Sequence, residues 1–185
     1  PLFRGFDRLD QLIVIRKKSR SRHWLALWRQ VAFRRWDLVV DLRKSALAWL
    51  LWTRRRATPP KAGHEHKVVS FARTIGAEPP PKPTVWTTEE DERTARETVG
   101  TQTPILALAP TANWAGKVWP CSHFIDLVER LTGPDGPLPS ATVFVTGGSG
   151  EADQVQPLLD AIPEERLISA FGLDLPATAA VFRRS

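Results

Sequence analysis

Thr111, Asn113 and Lys117 share one short stretch of chain. A lysine ammonium and two small hydrogen-bonding side chains are groups that hold an anion. The flanking sequence says where they stand. Residues 105–109 are an apolar run bounded by Pro104 and Pro110, which predicts a buried strand. Trp119 and Pro120 follow the polar loop at 111–118, and proline suits the first residue of a helix. Phe124, Leu127, Val128 and Leu131 then keep the spacing of one apolar helix face. The loop therefore joins a strand's C-terminal end to a helix N-terminus, where ligands bind in open α/β sheets. Helix-end amides with a lysine favour phosphate, so a diphosphate site is predicted.

A second candidate set is Gly147, Gly148 and Glu151, after an apolar strand at 141–146. For the glycines, a post-strand turn and close approach to a nucleotide both stand as readings. An acid at a helix N-terminus is also explained by the helix dipole. Thr111 and Asn113 serve equally as loop-stabilising groups. Asp41, Arg43 and Ser45 stand at the C-terminal end of a strand at 37–42 and are candidates for meeting an acceptor. His64 and His66 flank Glu65 but lack a third ligand pattern, so no metal site is expected. The single Cys121 reads as a small, partly buried side chain and fits a reducing, cytoplasmic setting.

Charge divides the chain. Residues 11–64 carry 14 Lys and Arg against two acids, a net of +12, while residues 65–185 carry a net of −6. The basic third calls for an anionic partner: nucleic acid, a membrane surface or a phosphorylated substrate. Trp24, Trp28, Trp36, Trp49 and Trp52 lie among these arginines. Core packing accounts for most of them, and docking on anionic lipid is the other reading. The longest apolar run, residues 46–52, is too short to span a bilayer. No methionine occurs, position 1 included, and the chain reads as a piece of a longer protein.

In chain order, strands are predicted at 9–15 and 37–42, with a helix between them capped by Ser21 and apolar on Trp24, Leu27, Trp28 and Val31. Residues 45–52 read as a buried helix closed by Arg54, Arg55 and Arg56. A turn is expected at 58–63 and a helix at 66–75, stopped by Gly76. Four prolines at 78–83 exclude regular structure, and 84–86 reads as a short extended piece. Thr88 and Asp91 form a capping-box pattern before an acidic helix. After the organising strand and helix come the strand at 141–146, a helix at 151–162, a strand at 166–169 and a helix from 175. This alternation predicts α/β architecture with parallel sheets, in two blocks, 1–100 and 101–185.

The stretch Pro110-Thr111-Ala112-Asn113-Trp114, then Gly116-Lys117, then Trp119-Pro120 and Phe124 resembles the signature of glycosyltransferase family 9, which includes the lipopolysaccharide heptosyltransferases. Residues 37–52, the helix at 66–77 and Gly147-Gly148 with Glu151 also resemble family elements, in the family's order. The resemblance implies a GT-B fold of two Rossmann-like parallel-sheet domains, both incomplete here: 1–100 for the acceptor and 101–185 for the nucleotide sugar. It implies inverting, metal-independent transfer of a heptose or similar sugar to a lipopolysaccharide or other cell-envelope glycan, with no cofactor. Lys117 matches the lysine that binds the donor phosphates, Thr111 and Asn113 match polar positions lining that site, and Glu151 matches an acid placed against the donor ribose. The general base is expected before Pro1, and a late D-S/T-G-x-x-H segment after Ser185. Many heptosyltransferases have D-x-Q-G where this chain has Asp41-Leu42-Arg43-Lys44. The expected partners are a nucleotide sugar, an anionic lipid-linked acceptor and the inner face of the inner membrane, with the protein otherwise cytoplasmic. The alternative is a non-catalytic basic binder of anionic membrane or nucleic acid. No aromatic nucleic-acid motif is present, so nucleic acid is not expected as a partner.

Overall fold

A computed structural model describes residues 2–16, 19, 22–60 and 64–185. Contacts divide the chain into two compact units, Gln11–Thr84 and Pro1–Asp10 with Val85–Ser185. The division thus falls at 84/85, and the first ten residues join the later block.

The later unit holds the organising strand. Strands β3 (Ile105–Leu108), β4 (Thr142–Gly147) and β5 (Leu167–Phe171) form a parallel sheet in that order. Leu108 lies opposite Val145, and Gly147 opposite Phe171, so the three C-terminal ends meet. Strand β4 is buried at every position but its last, as expected for a central parallel strand covered on both faces. Its alternation assigns the faces. Val143 and Val145 join Leu108, Val128, Val155, Leu158 and Ile162, which packs helices α4 (Cys121–Thr132) and α5 (Gln156–Ala161) on one side. Phe144 joins Ala95, Val99, Ile105, Ala180 and Val181, which packs α3 (Glu89–Val99) and α6 (Leu175–Phe182) on the other. Burying the valine, leucine, isoleucine and phenylalanine side chains among these contributes roughly 1.5–3 kcal/mol each.

Local chemistry sets the helix ends. Thr88 and Asp91 form the full capping box of α3, with four acids in its first turn. Asp174 caps α6 by accepting from the Ala177 amide at 3.1 Å. The Arg4 guanidinium is hydrogen-bonded to both Asp91 and Asp174. This fastens the first residues of the chain to the starts of two helices. Trp86 packs against Phe3 and Phe6 at ring distances of 5.9 and 4.7 Å, and residues 84–86 form no strand.

The other unit holds α1 (Arg22–Val31), strands β1 (Trp36–Val40) and β2 (Thr53–Ala57), and α2 (Lys67–Thr74). β1 and β2 pair in parallel. Helix α1 half-buries the expected face of Trp24, Leu27, Trp28 and Val31. Its expected cap, Ser21, and residues 61–63 of the expected turn lie outside the described residues. Gly76, at φ +69°, ends α2 as expected.

Three expectations are corrected here. Residues 9–15 form no strand. Residues 45–52 are not a buried helix: Ala46–Leu50 is a short 3-10 turn in which only Ala48 is buried. Arg54, Arg55 and Arg56 do not close a helix but lie in β2. A strand gains its stability from its neighbour's backbone, so pairing with β1 overrides the charged composition. Among the described residues, no helix is long and apolar enough to cross a membrane.

Candidate functional site

The site is built where β3 and β4 end. The chain leaves β3 through the buried Pro110 and reaches Thr111. The Thr111 hydroxyl donates to Glu151 Oε2 at 2.5 Å, and the Gly148 amide donates to the same oxygen at 2.8 Å. One carboxylate oxygen therefore joins the loop after β3 to the loop after β4. No hydrogen bond from a described residue reaches Oε1. The Thr111 bond first, and the Gly148 amide second, hold Glu151 below the usual carboxylate range.

The glycines are explained by this packing. A Cβ on Gly147 would collide with the Thr111 hydroxyl and approach the Phe171 ring to 2.9 Å. A Cβ on Gly148 would lie 2.9 Å from the Glu151 carboxyl. Both positions are bare because Thr111, Glu151 and Phe171 occupy the space. The Gly172 amide donates to the Gly147 carbonyl at 2.9 Å, which draws the loop after β5 into the same cluster. Sequence reasoning passed over Phe171 and Gly172. The signal was Gly172, directly after the strand and two residues before the Asp174 helix cap.

Lys117 and Asn113 occupy the outer part of the loop after β3, and both are exposed. Ala115–Lys117 is a single 3-10 turn, closed by the Lys117 amide on the Trp114 carbonyl at 2.9 Å. Gly116 lies under the Trp114 ring, 2.8 Å from where its Cβ would be. The Lys117 ammonium and the Asn113 amide make no hydrogen bond or ion pair with the described residues. Helix α4 begins after Pro120, with no side-chain cap and no acid in its first turn. A free cation ahead of an uncapped helix start suits an anion. Cys121 is half-buried in that first turn, its thiol directed to the Gln154 carbonyl at 3.7 Å. Trp119 packs edge-on against Phe124 at 5.2 Å.

The structure thus brings Thr111, Gly147, Gly148 and Glu151 into contact, and leaves Asn113 and Lys117 on the rim of the same loop. Asp41, Arg43 and Ser45 lie in the other unit, just after β1. Asp41 accepts from the Arg43 amide at 3.0 Å, the Ser45 amide at 2.6 Å and the Ser45 hydroxyl at 2.8 Å. Asp41 and Ser45 therefore shape a turn, while the Arg43 guanidinium sits over the Trp24 ring at 5.9 Å. His66 caps α2, accepting from the Val68 amide at 3.3 Å, and Glu65 pairs with Arg73 at 2.7 Å. Among the described residues, no three His, Cys, Asp or Glu converge as metal ligands.

A parallel sheet covered on both faces, with polar loops gathered at its C-terminal end, defines an α/β protein of the doubly wound kind, a fold in which ligands bind at that end. Residues 42–136 match glycosyltransferase family 9 (heptosyltransferase), and the chain belongs to that family. Two solved structures share its fold. The glycosyl transferase family 9 structure from Veillonella parvula DSM 2008 is 17% identical with a TM-score of 0.70, over 95% of this chain and 58% of that one. The E. coli ADP-heptose LPS heptosyltransferase II structure is 15% identical with a TM-score of 0.57, over 86% of this chain and 57% of that one. The chain therefore spans a little under three fifths of either relative's length. No curated protein matches it. The mixed α/β fold with parallel sheets expected from the sequence is the fold of these family 9 structures.

Proposed function

We propose that the intact protein transfers a heptose or similar sugar from a nucleoside-diphosphate donor to a lipopolysaccharide or other lipid-linked cell-envelope glycan, with inversion and without metal or cofactor. Family membership supports glycosyl transfer. The single observation that carries the donor site is the Thr111–Glu151–Gly148 junction, which fixes the Lys117 loop against the Gly147-Gly148 loop. In this reading Lys117 and the first amides of α4 stabilise charge on the leaving diphosphate. Asn113 and Thr111 line the site, and Glu151 offers its Oε1 to a ribose hydroxyl. Residues 85–185, with the first ten, form the donor side and 11–84 the acceptor side. There Arg43 presents its charge to the anionic acceptor, on the turn built by Asp41 and Ser45.

The test is donor affinity of the intact protein with Lys117→Ala. Binding of ADP, or of an ADP-sugar such as the donor named for the E. coli relative, should weaken about tenfold or more, equivalent to roughly 1.4 kcal/mol. Unchanged affinity would remove Lys117 from the site.

A further inference from the structure

We propose that Trp114 is a positioning residue for Lys117: its indole closes over Gly116 and fixes the 3-10 turn that presents the ammonium to the donor's diphosphate. The inference rests on the donor-site reading above, and its test separates the two.

Lys117 is held from its two sides by different means. After it, Trp119 packs edge-on against Phe124 at 5.2 Å, and Phe124 borders the core of the sheet. Before it, the chain is fastened at Thr111 by the bond to Glu151. Residues 112–116 lie between that bond and Lys117. No side chain of this stretch makes a hydrogen bond with another described residue. Two backbone bonds close the turn. The Lys117 amide donates to the Trp114 carbonyl at 2.9 Å, and the Val118 amide donates to the Ala115 carbonyl at 3.0 Å. A single 3-10 turn has little stability of its own. The Trp114 ring supplies what these two bonds do not.

Gly116 reveals the part the ring plays. Its backbone is not left-handed, unlike that of Gly76, Gly100, Gly150 and Gly172. The conformation of the chain therefore does not call for glycine at this position; the indole does. A Cβ at residue 116 would lie 2.8, 2.9 and 3.1 Å from Cζ2, Cη2 and Cε2 of Trp114. The six-membered ring thus approaches the turn more closely than any other residue type would permit. Trp114 belongs to neither core cluster of its unit, so the contact serves the turn and not the sheet. The lysine stem is long and flexible. Fixing the backbone from which it starts reduces what must be ordered when the diphosphate arrives.

The experiment is calorimetric titration of the intact protein with ADP. Trp114→Ala should weaken binding about three- to tenfold, on the scale of ordering one side chain. Trp114→Phe keeps a flat ring beside the glycine and should recover most of the loss. Gly116→Ala forces the ring away and should cost about as much as Trp114→Ala, and the two together should cost no more than either alone. In a Lys117→Ala background, Trp114→Ala should have no further effect. A ring that touched the ligand, or that only stabilised the fold, would weaken binding in both backgrounds alike. In NMR spectra the Trp114 ring current should move the Gly116 Hα resonances upfield, and Trp114→Ala should return them. The inference is overturned if Trp114→Ala binds ADP normally, if its loss persists without Lys117, if the Gly116→Ala loss adds to it, or if the Gly116 protons are unshifted. If Lys117→Ala weakens binding and Trp114→Ala does not, this inference alone falls. If Lys117→Ala leaves binding unchanged, the donor-site reading falls and takes this inference with it.

Discussion

The Thr111 hydroxyl and the Glu151 carboxylate are hydrogen-bonded at 2.5 Å although 40 residues separate them in sequence. This bond, charge-assisted and short, joins two loops that would otherwise be independent. Thr111→Val keeps the side chain's shape and deletes the donor. It should leave the sheet folded and weaken nucleoside-diphosphate binding about three- to tenfold, on the scale of one lost hydrogen bond. Calorimetric titration of the variant checks this, and unaltered affinity would show the junction to be irrelevant to the ligand.

Glu151 gives the protein an acid-side dependence. Its pKa is lower in the folded chain than in the unfolded one. Its contribution to stability is therefore complete above the unfolded value and disappears as pH falls through the folded value. The stability difference between the native protein and Glu151→Gln should stay level from about pH 8 to 6. It should shrink below the ordinary glutamate value of 4.5. Urea melts across this range make the comparison, and a difference that persists in acid would contradict it.

Asp91 should be among the most sensitive side chains in the later unit. Burial by itself would raise its pKa, but hydrogen bonds from Thr88 and Arg4 outweigh this and hold the group ionised. Asp91→Ala removes the capping box and leaves Arg4 without its inner partner. A loss of about 2–4 kcal/mol is expected. Arg4→Ala should cost less, because Thr88 still satisfies the carboxylate and the Arg4 side chain is a third exposed. It should, however, speed proteolytic removal of the first residues. Equal losses in both variants would show that the arginine, not the cap, dominates.

Gly147→Ala and Gly150→Ala separate two reasons for a glycine. At Gly147 the new methyl meets Thr111 and Phe171, so the loops must part. A cost of about 1–3 kcal/mol is expected, with weakened nucleotide binding. At Gly150 nothing lies within 4 Å, but φ is +81°. Only backbone strain of about 1–2 kcal/mol is then expected, and binding should survive. Thermal melts with ADP titrations distinguish the two.

What could be read from the sequence were elements whose chemistry is local. Pro104 and Pro110 bracket β3, Pro120 starts α4, and the Thr88 to Asp91 spacing announces α3; each signal lies within a few residues of the structure it sets. The elements misread depend on a distant neighbour. Residues 53–57 carry three arginines and become a strand because β1 offers its backbone edge. Residues 46–52 look like core by composition, yet a five-residue 3-10 turn cannot bury a face on every side. At the site, Lys117 and Thr111 stood out by type. The bond from Thr111 to Glu151 did not, since nothing in either segment announces the other.

Residues 148–150 lie on the surface, yet the Gly148 amide is spent on Glu151 and the Gly172 amide on the Gly147 carbonyl. Both protons should therefore exchange slowly with deuterated solvent, although the glycines around them are in full view of water. Accessibility and exchange part company at this loop. A ligand arriving there finds a surface that is already set, and does not have to order it first.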